Sequence, residues 1–221
     1  GDPFNSLMKL ENTDSSPYNP MINAGAIVVA SCLASEISFD TMLDTIRALC
    51  MDPDINLDKK VYHSEMSHIS RNRAIAYLLE SKGYIEKNKD VENSLHFYVK
   101  MCSLSVTAES LAGLGLILAN DGIHPDTGKR LLSSQAVKIV KTLMFTCGMY
   151  DGSGEFAVRV GIPSKSGVGG GILSVVDGEM GIGIFGPALD KKGNSVAGEC
   201  VLEYMSHELH LHMFDPQRHT L

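Results

Sequence analysis

One stretch constrains the fold more than any other: FAVRVGIPSKSGVGGGILSVVDGEMGIGIFGP, Phe156–Pro187. Its pieces 156–162, 172–176 and 180–185 are short, β-branched or alternating in polarity, and bounded by Gly, Pro and Asp-Gly. That pattern predicts three antiparallel strands. Asp177-Gly178 predicts a hairpin turn between the second and third, because glycine tolerates positive φ. Between the first and second lie Lys165-Ser166-Gly167-Val168 and three glycines. Such a segment aims an ammonium and a hydroxyl into a cleft and lets a substrate approach the backbone closely. An adjacent backbone N–H then serves as one arm of an oxyanion hole. The same residues also fit a plain edge strand that ends in a flexible glycine loop.

Length and composition narrow the class. A chain of 221 residues buries a substantial core, as one large or two small domains. Apolar content of 44 % and charged content of 20 % are those of a soluble globular protein. The net charge of −7 argues against nucleic acid or an anionic membrane as partner. No apolar run reaches transmembrane length. The chain opens Gly1-Asp2-Pro3, with neither a secretory signal nor a Met, which reads as a fragment or a processed product. The five cysteines are far apart, with no C-x-x-C, and predict reduced thiols in an intracellular compartment. Their apolar surroundings predict burial.

Taken in order, residues 1–20 are turn-rich. Ser6-Leu7-Met8-Lys9 spells S-x-x-K, but the residues that follow it will not carry a helix. Asn23 precedes a run of small apolar residues and fits either a helix N-cap or a ligand-binding side chain. Helices are expected over 39–51, 64–79, 93–101, 107–119 and 134–146, with Thr107 and Ser133 as caps. Glu65 and Asn72, two turns apart, then share a helix face. Residues 195–214 predict a closing amphipathic helix. The fold class is therefore α+β (mixed α/β). The sheet-containing subdomain is expected over 1–37 and 147–221, and a helical subdomain over 38–146. The histidines of 207–212 lack the i, i+4 spacing of a zinc helix and read as a solvated tail. No phosphate or dinucleotide fingerprint is present, and no cofactor or metal is expected.

Several motifs agree in order: Asn19-Pro20-Met21-Ile22-Asn23-Ala24-Gly25-Ala26, Glu65 with Arg71-Asn72, Phe97-Tyr98, Cys147-Gly148-Met149-Tyr150-Asp151, and Lys165-Ser166-Gly167-Val168 with its glycines. Together they resemble the serine-dependent glutaminases, in the branch containing the animal kidney- and liver-type mitochondrial enzymes. The resemblance runs from Phe4 to about His212. It implies a β-lactamase/transpeptidase-like fold and hydrolysis of the side-chain amide of L-glutamine through a serine acyl-enzyme. By that resemblance Tyr150 transfers protons beside a Ser–Lys pair, with Lys165 or the motif lysine as the cation a phenol needs. The Val168 N–H is an oxyanion donor. Glu65 pairs with the α-ammonium, Asn23, Asn72 and Tyr98 hold the amino-acid end, and Ser166 lines the site. A homo-oligomer (dimer or tetramer), a mitochondrial location and inorganic phosphate as a possible activator come from the same source.

The chain departs from the family in one respect. There the S-x-x-K helix precedes Asn-Pro-Met by several tens of residues, and here only 18 residues precede Asn19. The expectation is that the nucleophilic Ser and its Lys, with the first strands of the sheet, lie upstream, and that the chain alone is inactive. Two other readings share features with this one. A penicillin-recognising serine hydrolase has the same Lys-Ser-Gly strand. A truncated chain that only assembles with full-length subunits needs no nucleophile.

Overall fold

The computed structural model describes residues 17, 19–87 and 89–219. Ser6 and Lys9 lie outside the described residues. The elements in chain order are α1 (Asn23–Glu36), α2 (Phe39–Cys50), β1 (Asn56–Leu57), α3 (Lys59–Ser67), α4 (Ser70–Ser81), α5 (Val91–Cys102), β2 (Leu104–Ser105), α6 (Ala108–Ala119) and α7 (Ser134–Cys147). A 3-10 turn, Tyr150–Gly152, leads into α8 (Ser153–Arg159), β3 (Ser164–Ser166), β4 (Gly171–Val176), β5 (Met180–Phe185) and α9 (Val196–Glu208). The fold class is mixed α/β, as expected.

These elements form two compact units. The helical unit takes the described residues up to Arg47 together with Pro53–Val106. The sheet unit takes Ala48–Asp52 and the described residues from Thr107 onward. This partition differs from the expected one. Helix α1 belongs with the helices because Ala24 and Ile27 pack into a core with Ile75, Leu79, Leu95 and Val99 of α4 and α5. Helices α6 and α7 belong with the sheet, α6 lying against β4 and β5 and α7 against β3 and α8.

In the helical unit, Asp58 caps α3 by accepting from the Lys60 and Val61 N–H groups at 2.8 and 3.1 Å. The single helix expected over 64–79 is two. The Ser67 hydroxyl donates to Ser64 O at 2.7 Å, and the His68 ring lies 2.9 Å from the same carbonyl. Side chains thus compete with the helical backbone at its last turn, and Ile69 drops into the core between the helices. Glu65 and Asn72 consequently sit on different helices, not on one face.

In the sheet unit, β3, β4 and β5 are antiparallel, in that order. Ser166 pairs with Ile172, and Val176 with Met180. Ile172, Val176 and Ile182 face Phe156, Val160 and Leu202. The opposite face takes α6 at backbone distance. A methyl on Gly181 would lie 2.2 Å from Ala112 O, and one on Gly183 1.8 Å from Ala108 O. The Thr107–Ser110 capping box that starts α6 is present in both directions.

The strand expected over 156–162 is the helix α8. The apolar residues at 156, 158, 160 and 162 alternate as in a strand, yet 156 and 160 also share a helix face, and burial follows the helix: Phe156 and Val160 are buried while Val158 is 79 % exposed. The Glu155–Arg159 pair at 3.7 Å supports the helix, and Gly161, at φ +63°, ends it. The closing helix stops at Glu208 rather than running to Phe214. His210 has φ +52°, Leu211 is buried, and Met213 N donates to Gly161 O at 3.0 Å. The solvated tail expected here holds for His207, which is exposed, but 210–212 are packed: His210 lies 3.1 Å from Asp215 and His212 3.2 Å from Ala157 O. Cysteine burial was also over-read, since Cys32, Cys102 and Cys200 are exposed and only Cys50 is fully buried.

Candidate functional site

The residues singled out from the sequence fall into two groups, one in each unit. In the sheet unit, α7 ends at Cys147 and the chain turns sharply into the segment that carries Tyr150. Tyr150 has φ +53°, a left-handed conformation that an aromatic residue adopts only under tertiary constraint. Ser153 supplies part of that constraint. Its hydroxyl accepts from Met149 N at 3.0 Å and donates to Tyr150 O at 2.8 Å. The Tyr150 side chain is 8 % exposed, and its hydroxyl donates to Ser166 O at 3.3 Å. The Lys165 ammonium lies 4.4 Å from the centre of the Tyr150 ring and also donates to Ser166 O. A cation over the phenol and two donors on one carbonyl bring Tyr150, Lys165 and Ser166 together at the end of β3.

Ser166 is 2 % exposed, and each of its polar groups is engaged. Its N–H donates to Gly148 O at 3.1 Å, and its hydroxyl donates to Asn194 Oδ1 at 2.5 Å. After Ser166 the glycine turn folds back on itself. Gly167 N donates to Gly171 O and Gly170 N to Gly167 O, both at 2.9 Å. Val168, at the apex, is 52 % exposed. Its N–H donates to no acceptor among the described residues. This is the geometry of an available backbone donor on a fixed turn.

In the helical unit, Asn23 is the first residue of α1 and not its cap, a place held by Ile22. Its side chain instead crosses to α4, where Asn23 Nδ2 donates to Asn72 Oδ1 at 2.9 Å. Among the described residues no hydrogen bond engages the Asn23 amide oxygen or the Asn72 amide NH2. Glu65 is exposed on α3, and Tyr98 on α5 is partly buried against the helical core. Helices α3 and α5 are tied by the Tyr62 hydroxyl and His96 Nδ1 at 2.6 Å. Below them, Arg73 forks Glu92 at 2.8 and 3.0 Å and holds that carboxyl below its ordinary range. Of the four residues singled out in this unit, the structure joins Asn23 and Asn72 by a direct bond.

Sequence reasoning missed two contributors. Asn194 ends a turn-forming stretch, 188–194, whose composition predicts only a loop, yet it is 0 % exposed and bonded to Ser166. Tyr62 and His96 carried no motif. Both depend on partners far along the chain, which no local pattern reports. The thiols offer no rival nucleophile at the two most enclosed positions: burial, and then Asp52, push Cys50 up to about 11, and burial raises Cys147.

The glutaminase family model matches residues 1–214. A glutaminase of Clostridioides difficile is 53 % identical over 97 % of this chain and 70 % of its own length. One from Fusobacterium nucleatum is 53 % identical over 97 % and 71 %. Among solved structures, a probable glutaminase of Bacillus subtilis superposes with a TM-score of 0.90 at 40 % identity, over 96 % of this chain and 72 % of that one. A Bacillus subtilis glutaminase in covalent complex with 5-oxo-L-norleucine, formed by reaction with 6-diazo-5-oxo-L-norleucine, gives 0.84 at 40 % identity, over 90 % and 70 %. These relatives correct two expectations. They are bacterial rather than of the animal kidney and liver type, and bacteria have no mitochondria, so the mitochondrial location is overturned. The match extends across both units and decides between the two hydrolase readings, so the motif order seen in the sequence reflects common descent: the chain belongs to the glutaminase family.

Proposed function

We propose that the protein hydrolyses the side-chain amide of L-glutamine to L-glutamate and ammonia with Tyr150 and the Val168 N–H as working groups in the sheet unit, together with an attacking serine and its lysine not assigned among the described residues. Tyr150 relays the proton between the attacking hydroxyl and the departing ammonia. A cation over a phenol ring favours charge on its oxygen, and Lys165 occupies that place. The Val168 N–H stabilises the oxyanion of the tetrahedral intermediates on the way to and from a γ-glutamyl ester. Water then cleaves the ester. Ser153, Ser164 and Ser166 all donate to buried oxygens. None of these three is therefore offered as the attacking serine. Glu65 accepts the α-ammonium. Asn23 and Asn72 divide the zwitterion between amide oxygen and amide NH2, and Tyr98 completes the set.

The observation that carries this reading is the strained Tyr150, held under Lys165 at the strand that leads into the Val168 turn. Its recognition half is tested by comparing L-glutamine with glutaramate, which lacks the α-ammonium. Glu65→Gln should raise KM for L-glutamine about 10- to 100-fold, the worth of a hydrogen bond between charged groups, and leave glutaramate hydrolysis nearly unchanged. Equal losses on both substrates would remove Glu65 from ammonium recognition.

A further inference from the structure

The geometry points to Asn194 as a positioning residue for amide hydrolysis, acting through Ser166 and the backbone of the Tyr150 turn; this rests on the roles given above to Tyr150 and Val168. Asn194 is fully buried. Its Oδ1 accepts the Ser166 hydroxyl at 2.5 Å, and its Nδ2 donates to Met149 O at 3.3 Å. One planar amide thus grips the strand residue two positions before Val168 and the carbonyl immediately before Tyr150.

The amide is itself held in place. Asn194 N donates to Asp190 Oδ1 at 2.9 Å, and Asn194 O accepts from Asp190 N at 2.8 Å. Asp190 Oδ1 also accepts from Lys192 N at 2.9 Å, so the 190–194 loop is closed on one carboxylate. The side chain is therefore oriented before any substrate arrives.

What it holds is the costly part of the site. Tyr150 keeps φ +53° only while its flanking atoms are tied. Without the bond to Met149 O, the turn keeps Ser153 and the Gly152 N–H, which donates to the same carbonyl at 3.0 Å, but loses its tie to the 190–194 loop, and the phenol shifts relative to Ser166 O. Without the bond to Ser166, β3 keeps the Ser166 N–H bond to Gly148 O but loses its side-chain tether just before the glycine turn, and the aim of the Val168 N–H loosens. A buried pair kept only for stability has no reason to sit where both catalytic arms meet, since apolar replacements of the same shape serve stability as well. The same geometry makes Ser166 a residue that transmits position rather than one that touches glutamine.

The test compares the protein with its Asn194→Ala, Asn194→Asp, Ser166→Ala and doubly substituted Asn194→Ala/Ser166→Ala forms. Asn194→Ala should lower kcat at least about tenfold with KM for L-glutamine within about twofold, the split expected when a transition-state contact is misplaced. The double variant should be no more than about twofold worse than the worse single one, because both changes break one connection. Asn194→Asp, which keeps the acceptor for Ser166, should recover part of the loss. It also carries the comparison if the alanine variant does not fold. Amide exchange at Ser166 N–H should speed up in Asn194→Ala while the β4–β5 ladder is unchanged. A variant that melts earlier yet keeps wild-type kcat and wild-type exchange at Ser166 overturns the proposal. If the 221-residue chain releases no ammonia, which agrees with the expectation that it lacks the nucleophile, the exchange comparison alone decides whether Asn194 positions the strand and turn, and unchanged exchange at Ser166 N–H overturns the proposal.

Discussion

Tyr150 is constrained in backbone and side chain together, and the constraint can be followed residue by residue. Its left-handed φ costs about 1–3 kcal/mol, offset by Ser153 on one side and Ser166 on the other. Ser153→Ala leaves a buried N–H and a buried carbonyl without that partner. It should cost about 1–3 kcal/mol in urea denaturation and lower kcat as the turn relaxes; unchanged kinetics would separate the turn from catalysis. A second residue-scale prediction concerns the half-buried Glu92, whose carboxyl is held low first by its hydrogen bond from Arg73. Its folded value lies below its unfolded one. The pair therefore stabilises above about pH 4 and fades as pH falls through the folded value. The melting-temperature gap between the wild type and Glu92→Gln should be widest near neutrality, small because the pair is solvent-screened, and should close in acid. A gap independent of pH would contradict this. Thr107, Ser110 and Ser133 were legible because a cap is read within four residues. Asn194 was not, because its partner is 28 residues away.

At the scale of elements, the sequence is clearest where one period excludes the other. Strand β4 is a short apolar, β-branched run broken only by the buried Ser174, β5 alternates with glycine, and both form as expected. The stretch 156–162 fits both periods, and tertiary burial of Phe156 and Val160 settles it as α8 plus a glycine stop. The glycines of β5 were visible, but not their purpose, which is to let α6 lie on the sheet backbone. Gly183→Ala places a methyl 1.8 Å from Ala108 O and should destabilise the protein by about 3 kcal/mol or more. Gly154→Ala, in exposed α8 with no atom within 4 Å of the new methyl, should stabilise it by about 0.5–1 kcal/mol. Chemical denaturation of both variants checks the pair. Equal effects would mean that the α6–sheet contact is not what the glycines serve.

At the scale of the molecule, the chain passes between units at 47–48, 52–53 and 106–107, none of which carries a linker-like composition. The boundary follows contacts instead: Gly113 on α6 lets the helix approach Cys50 O, so 48–52 joins the sheet unit. Helix α1 is apolar on all sides and gives no face from which its neighbours can be inferred. The order of motifs along the chain nevertheless pointed to the family, because order along the chain is kept whether a motif lies on a turn, as Tyr150 does, or inside a helix, as Phe97-Tyr98 do. The central claim is that Tyr150 moves the proton in glutamine hydrolysis. The direct measurement is ammonia release from L-glutamine at saturating substrate by the protein and by its Tyr150→Phe variant, which keeps the ring beneath Lys165 and removes only the hydroxyl. A fall in kcat of about 100-fold or more, within the range for a lost general acid–base group, with little change in KM, is the predicted result. A Tyr150→Phe protein that turns over at the wild-type rate would contradict it.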